Sequence, residues 1–247
     1  MCVNRPDAAT VAITGASGAL GQALCSRFLR AGWSVVALST SSPPENDAGA
    51  PSWKGIRWMT WRCGEESELL SLLQGVDLLV INHGLNVHGD RSAEAVQRSL
   101  EVNAMSGLRL LEAFLHCSEA GAGAATSRRE VWVNTSEAEV LPAFSPLYEI
   151  SKRLLGQLVS LRRLDSGWHG VRVRTLVLGP FRSSLNPVGL MSPDFVACEI
   201  LRQASWPLPW IVVTPNLLTW LLLPCSELVR WGYFGLFSRW SPENSDP

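Results

Sequence analysis

The segment that most limits what this chain can become runs from Thr10 to Leu38. A short apolar run, Thr10-Val11-Ala12-Ile13-Thr14, is followed at once by Gly15-Ala16-Ser17-Gly18-Ala19-Leu20-Gly21. Apolar residues at helical spacing then extend from Leu20 to Leu29, and a second apolar run follows at Trp33-Ser34-Val35-Val36-Ala37-Leu38. Strand, glycine-rich turn, helix and strand in that order make one βαβ unit, whose two strands lie parallel in one sheet. A parallel sheet is covered on both faces, so the remaining chain has to supply more buried strands and more helices.

The pattern continues as required. Further strands are expected at Ile56–Trp61, Val76–Asn82, Glu130–Asn134, Val171–Leu178 and Trp210–Thr214, and helices at Glu65–Leu73, Ala93–Cys117, Ser145–Leu164 and Met191–Ala204. Ser41–Gly55 and Ser118–Arg129, rich in Pro, Gly, Ala and Ser, read as surface loops. The fold class expected is α/β, a single doubly wound parallel sheet with helices on both faces. With 247 residues and no internal repeat, one domain over 1–247 is expected, ending in an apolar, Trp-rich extension over 206–247.

Composition narrows the function. A net charge of -1 with 17% charged residues gives no basic surplus for nucleic acid and no acidic solvating tail. Small-molecule chemistry is the default that remains. Met1 to Thr10 has no apolar core of a secretory signal, so a cytoplasmic protein is expected. The six cysteines, Cys2, Cys25, Cys63, Cys117, Cys198 and Cys225, form no C-x-x-C pair. No His joins them at zinc-ligand spacing, His116 being directly beside Cys117, so they are expected to be reduced, mostly buried thiols with no metal site.

The glycine-rich turn has a chemical reading. Thr14, Gly15, Ser17, Gly18, Ala19, Leu20 and Gly21 lie between the first strand and the first helix, where glycines let a pyrophosphate approach and the helix N-terminus offers unpaired N–H groups. The second strand ends Leu38-Ser39-Thr40-Ser41-Ser42. An acidic residue there would grip an adenosine ribose and select NAD. Hydroxyls at Ser39 and Thr40 suit a 2′-phosphate instead, which favours NADP(H) over NAD(H), although no arginine stands in that stretch.

Tyr148 and Lys152 are i and i+4 in an expected helix and share one face. A phenol with an ordinary pKa near ~10 is a poor acid–base group at neutral pH. A neighbouring ammonium, together with the positive nicotinamide ring of a bound dinucleotide, is expected to stabilise the phenolate and bring that value down. Ser136, leaving the end of a strand, could hydrogen-bond a substrate oxygen.

In this order the set resembles the short-chain dehydrogenase/reductase (SDR) family, over Val11 to about Ser184. The resemblance rests on Thr14, Gly15 and Gly21, on Asn82-His83-Gly84 after the fourth strand, and on Asn103 in Leu100-Glu101-Val102-Asn103-Ala104. It rests further on Ser136, Tyr148 and Lys152, and on Leu178-Gly179-Pro180-Phe181-Arg182-Ser183 after the sixth strand. It implies a Rossmann-type NAD(P)-binding fold and an oxidoreductase that interconverts a carbonyl and an alcohol by hydride transfer. Tyr148 is then the acid/base, Lys152 lowers its pKa and holds the nicotinamide ribose, and Ser136 orients the substrate oxygen. Asn103 holds a water linking Lys152 to solvent. Gly179, Pro180 and Ser183 join the cofactor contacts, with Ser183 facing the carboxamide. A homo-oligomer built through the two long helices is also implied.

The chain departs from the family pattern in several places. Ala19 stands where one form of the turn has glycine, so the string fits TGxxGxxG. The adenine-side Asp after the third strand is replaced around Cys63-Gly64, and His83 replaces Ala. The strand end reads Thr135-Ser136-Glu137, which leaves Thr135 as the alternative orienting hydroxyl and Glu137 as a group that could intrude on the site. His83 and His88 flank the expected substrate cleft. They read first as loop histidines with water or backbone partners, and second as groups for a polar substrate.

Five of the eleven Trp (Trp206, Trp210, Trp220, Trp231 and Trp240) fall in the C-terminal extension. Its longest apolar stretch, Leu217 to Leu223, is stopped by Pro224 and is too short to span a bilayer. Short amphipathic pieces lying in a membrane interface over 206–240, with Arg230 and Arg239 at the headgroups, are one reading. A substrate-covering lid and a subunit contact are the others. Each favours a lipophilic substrate over a sugar. The blocks Ile81–Gly89 and Val131–Lys152 also resemble the SDR part of bacterial proteins labelled sterol desaturase/short-chain dehydrogenase, without their His-rich motifs. Two function classes stay open: an enzyme acting on a small lipophilic carbonyl or alcohol, and an NADP(H)-binding module that works through a partner or lipid without turnover. Epimerisation, with the hydride returned to the substrate, is a third.

Overall fold

The computed structural model describes residues 9–42, 53–120, 129–165 and 170–237. Seven strands, β1 (Thr10–Thr14), β2 (Ser34–Ser39), β3 (Ile56–Thr60), β4 (Leu78–Ile81), β5 (Glu130–Asn134), β6 (Arg172–Leu178) and β7 (Trp210–Val213), form one sheet. The helices are α1 (Ala19–Arg30), α2 (Leu70–Gln74), α3 (Ala93–Leu100), α4 (Ser106–Ala120), α5 (Pro146–Asp165), α6 (Pro193–Gln203) and α7 (Leu217–Phe237). The strand order is β3-β2-β1-β4-β5-β6-β7, and every pairing is parallel. This is the doubly wound α/β sheet expected from the alternation of apolar runs and helical patterns.

Successive strand residues point to opposite faces, and both faces are dry. Val11, Ile13, Leu78 and Val80 pack with Leu24 and Phe28 of α1 and Val196 and Ile200 of α6. Their neighbours Ala12, Leu79 and Ile81 pack with Leu110 and Phe114 of α4 and Leu155 and Val159 of α5. Burial on both faces explains why these strands read as continuous apolar runs. The winding reverses between β1 and β4, and that reversal opens a crevice at the carboxyl ends of the strands.

Three elements differ from the sequence expectation. The single helix expected over Ala93–Cys117 is interrupted by a π-turn at Glu101–Met105 that carries Asn103. The helix expected over Glu65–Leu73 begins as a 3₁₀ turn, Glu66–Leu69, before α2. Pro224 does not end the C-terminal element: α7 is one helix of 21 residues with the proline inside it. A proline there removes one backbone bond, but Thr219, Leu223 and Glu227, at i, i+4 and i+8, are buried along one stripe that holds the helix to the body. No helix among the described residues is long and apolar enough to cross a membrane.

The thiols divide rather than clustering inside. Cys25 and Cys117 are buried, Cys63 is half-buried, and Cys198 and Cys225 are exposed. Cys2, Arg239, Trp240 and much of the two loops (43–52 and 121–128) lie outside the described residues.

Gly156, in the middle of α5, makes room for a buried carboxylate, because a Cβ there would overlap the Glu139 side chain. Gly-to-Ala in a helix interior ordinarily stabilises by about 0.5–1 kcal/mol. Here overpacking outweighs propensity, and Gly156→Ala is expected to destabilise the protein by roughly 1–3 kcal/mol in denaturant unfolding. A gain in stability would show that Glu139 can move aside.

Candidate active site

The crevice is a cleft of about 1360 Å³. One end is lined by Gly15, Ser17, Gly18, Ala19 and Leu20, the middle by Asn82, His83, Gly84, Ser136, Tyr148 and Lys152, and the other end by Gly179, Pro180 and Ser183. Residues far apart in sequence therefore share one wall. Within the described residues there is no group of His, Cys, Asp and Glu that could hold a metal.

The turn after β1 is built by close approach. Gly15 has φ +63°, and a Cβ on it would meet the His83 backbone at 2.9 Å. A Cβ on Gly21 would overlap the Gly15 carbonyl. Both positions exclude any side chain. α1 starts at Gly18 with no side-chain cap and no acidic residue in its first turn. Its first N–H groups and positive dipole end are left for an anion. The Thr14 hydroxyl accepts the N–H groups of Asn82 at 2.9 Å and His83 at 3.3 Å, which pins the chain after β4 to the end of β1. A dinucleotide pyrophosphate fits this cradle, and the hydroxyls of Ser17 and Ser39, 2.8 Å apart, lie beside it.

The middle of the cleft is a hydrogen-bonded string. Asn82 Nδ2 donates to the Gly15 carbonyl at 3.5 Å, Asn134 Nδ2 donates to Asn82 Oδ1 at 2.9 Å, and Lys152 Nζ donates to the Asn134 carbonyl at 2.9 Å. Burial pulls the Lys152 ammonium down to about 8. Asn134 Oδ1 is buried without a partner among the described residues, an acceptor aimed into a polar site.

Ser136, rather than Thr135, meets the phenol. The Ser136 hydroxyl lowers the Tyr148 pKa; Ser136 Oγ accepts the Ala138 N–H at 3.2 Å and donates to the Leu178 carbonyl at 3.5 Å. The Thr135 hydroxyl donates back to the Leu176 carbonyl at 3.3 Å. Within the protein alone, burial, and secondarily Glu137, raise the Tyr148 pKa, with only the Ser136 hydroxyl lowering it. The Lys152 ammonium is directed to the Asn134 carbonyl and sits 5.9 Å from the phenol ring centroid.

Asn103 is also engaged differently. Its Oδ1 accepts the Leu85 N–H at 2.8 Å, and its Nδ2 donates to the Leu85 carbonyl at 3.0 Å and to Ser151 Oγ at 2.9 Å. The side chain clamps the Gly84–Leu85 turn over Lys152, and both its donors are taken. Glu137 does not hang free in the cleft: its carboxylate accepts the hydroxyls of Thr214 at 2.7 Å and Thr219 at 3.5 Å. Ser183 faces the cleft, with its hydroxyl accepting the Asn186 N–H at 3.2 Å.

The two histidines separate. His88 is exposed and holds a left-handed backbone, φ 54°. The His83 ring lies 2.9 Å from the Thr14 hydroxyl through Nδ1 and packs edge-on against Trp61 at 5.2 Å. A side-chain partner thus replaces the water or backbone partner expected. Its Nε2 is shut off from solvent with no partner among the described residues. Burial, and then the Lys152 charge, hold its pKa down to about 3. Sequence reasoning missed Arg62, which lines the cleft beside Ser39 and Thr40. Its place directly after β3 was the available signal.

Comparison with known proteins agrees with this geometry. The sequence pattern of the "NAD dependent epimerase/dehydratase family" matches residues 11–197. A curated relative from Synechocystis sp., a monoglucosyldiacylglycerol epimerase, is 45% identical over 229 residues, which are 93% of this chain and 55% of the relative. The chain therefore spans about half the length of that relative. A short-chain dehydrogenase from Burkholderia cenocepacia, solved with NADP, superposes with a TM-score of 0.75 at 17% identity, covering 94% of this chain and 98% of that one. A second from Sphingobium yanoikuyae, solved with NADPH, gives 0.74 at 17% identity, covering 96% and 98%. At these identities the two structures establish the shared fold.

The His83 environment has a consequence for stability. Its folded pKa, about 3, lies below the ordinary value of 6.5, so on acidification the unfolded chain takes up the proton first. Stability is expected to fall as pH drops from 6.5 towards 3. In His83→Gln, which keeps an acceptor for Thr14 but does not titrate there, the slope of unfolding free energy against pH should flatten over that window. An unchanged slope would place the acid sensitivity elsewhere.

Proposed function

Because the chain belongs to the NAD dependent epimerase/dehydratase family, an NAD(P)-dependent enzyme superfamily, we propose that it binds NADP(H) in this cleft and inverts a secondary carbinol carbon in the sugar headgroup of a lipid. The observation that carries the reading is that Ser136, Tyr148 and Lys152 line the same cleft as the glycine turn. The 45% identical epimerase of a glucosyl lipid supports the substrate class. A sugar headgroup on a lipid joins the two alternatives that the sequence set against each other.

The far end of the cleft supports an amphiphile. Asn86, His88 and Asn186 offer hydrogen-bonding groups to hydroxyls, while Phe144, Val188 and Leu190 line the same mouth and stand 111%, 86% and 71% exposed. In the proposed reaction Ser136 Oγ orients the reacting hydroxyl and Tyr148 Oη removes its proton, then returns it. Lys152 holds positive charge beneath the phenol, and burial keeps that charge close to its titration point. A bound nicotinamide dinucleotide supplies a hydride acceptor and, once reduced, a donor. Return of the hydride to the opposite face of the same carbon leaves no net change in cofactor.

The surface of α7 suits a bilayer. Glu227 and Arg230 are its only charged residues. Both turn inward, Arg230 donating to Glu227 at 2.6 Å and lying 3.9 Å from Glu139. Arg230 is thus unavailable to lipid headgroups, contrary to the sequence expectation. Outward stand Leu217, Leu221, Leu228, Val229, Trp231 and Phe237, an uncharged apolar face of the kind that enters a membrane interface.

Two outcomes test this reading. With a glucosyldiacylglycerol in vesicles and catalytic NADP⁺, the protein is expected to form the epimeric lipid without net reduction of cofactor. Tyr148→Phe should lower that rate roughly 100- to 10,000-fold while leaving cofactor affinity nearly unchanged. Stoichiometric oxidation of NADPH with a single reduced product would replace epimerisation by net carbonyl reduction. For the surface, Leu228→Glu with Trp231→Glu should abolish co-sedimentation with the vesicles at unchanged unfolding temperature. Undiminished co-sedimentation would remove α7 as the contact.

A further inference from the structure

The adenosine end of the cleft lacks an acidic residue but has a cation that neither the family match nor the relatives assign. β3 pairs with β2 so that Thr60 faces Ser39, and the Trp61 N–H donates to the Ser39 carbonyl at 2.8 Å. The Trp61 ring is buried and packed on His83. That anchors the backbone one residue before Arg62 and leaves Arg62 exposed on the cleft wall with Ser17, Ser39 and Thr40.

Glu66, four residues further along the chain, is already engaged. Glu66 accepts Arg109 at 2.8 Å, Ser106 at 2.6 Å and the Gly64 N–H at 2.9 Å, and these bonds hold its pKa down to about 2 against the burial that would raise it. Among the described residues Arg62 has no ion pair. The hydroxyls beside it form a cluster: Ser39 Oγ lies 2.8 Å from Ser17 Oγ and 3.3 Å from Ser41 Oγ, and Thr40 and Ser41 are exposed. A planar guanidinium and several hydroxyls, with no acid among them, match a phosphate monoester, which accepts forked hydrogen bonds from arginine.

We propose that Arg62, reaching across from the end of β3 and joined by the Thr40 and Ser41 hydroxyls, binds the 2′-phosphate of NADP(H) and sets the preference for it over NAD(H). The cation that the β2 end lacks is supplied by the neighbouring strand. This inference rests on the reading that the cleft holds a nicotinamide dinucleotide.

Calorimetric titration of the intact protein with NADP⁺ and NAD⁺ tests it without any turnover. Wild type is expected to bind NADP⁺ tighter. Arg62→Ser should weaken NADP⁺ by about 10- to 100-fold, the range for losing a hydrogen bond to a charged group, and change NAD⁺ by less than about twofold. Arg62→Lys, which keeps charge but loses the fork, should fall between. Raising the salt concentration should weaken NADP⁺ more in wild type than in Arg62→Ser. Equal loss for both dinucleotides, or no loss for either, overturns the assignment, as does a wild type that binds NAD⁺ as tightly as NADP⁺. Binding of neither dinucleotide by wild type would instead overturn the cofactor reading itself, so the two failures are distinguishable.

Discussion

The structure of the site depends on one contact between backbones: the turn after β1 lies directly against the chain leaving β4. Gly15 approaches the His83 backbone too closely for any side chain, and the Thr14 hydroxyl takes the two N–H groups that would otherwise be orphaned after β4. β1 and β4 are adjacent only because the winding reverses there. The same reversal that opens the crevice therefore closes its floor. The buried threonine satisfies donors that no strand partner can reach, and burying those N–H groups without it would cost about 1–3 kcal/mol each. From that floor the string through Asn82, Asn134 and Lys152 fixes the lysine's height in the cleft.

That geometry separates two tasks which the Tyr-x-x-x-Lys spacing alone suggests are one. The spacing puts both side chains on the same face of α5, but the ammonium is held by the Asn134 carbonyl and the phenol by Ser136. The phenol then keeps its proton well into the alkaline range, with burial and the Glu137 charge both favouring the neutral form. A positive charge entering the cleft beside Tyr148 would oppose both effects. On the proposed reading, the lowering that acid–base work at neutral pH needs would come from the occupied cleft.

How much of this was legible in the sequence follows from which interactions are local. The βαβ unit, the glycine turn and the seven strands were legible because period and turn chemistry are encoded within a few residues. Tyr148 and Lys152 were legible because i and i+4 on a helix meet whatever the tertiary fold. The π-turn at Asn103 was not, since a one-residue widening leaves the apolar pattern almost unchanged. The choice of Ser136 over Thr135 depends on the tertiary fold: both hydroxyls donate to β6 carbonyls, of Leu178 and Leu176, but only Ser136 acts on the phenol. Arg62 was invisible as a β2-end cation because it belongs to another strand. Pro224 looked like a stop, and only the buried stripe of Thr219, Leu223 and Glu227 outweighs its missing donor.

The same stripe explains why an apolar helix matters to a polar site. The 3₁₀ turn that follows Ser136, Glu137–Glu139, is fastened to α7 at both ends. Glu137 accepts Thr219 in the first turn of that helix and Thr214 just before it, and Glu139 lies against Arg230 further along. Thr214 also fills the space that Gly179 leaves on the opposite wall. Two carboxylates that sequence alone would place in solvent or in the cleft are therefore turned towards the helix, and α7's own two charges are taken up inside, Arg230 by Glu227 and Glu139, and Glu227 by Arg163 at 3.0 Å. On the proposed reading, seating α7's outer face on a bilayer would brace the turn carrying Ser136 through its contacts with Thr214, Thr219 and Arg230. A lipid-borne headgroup would then meet its orienting hydroxyl at a height fixed by the surface from which the headgroup projects.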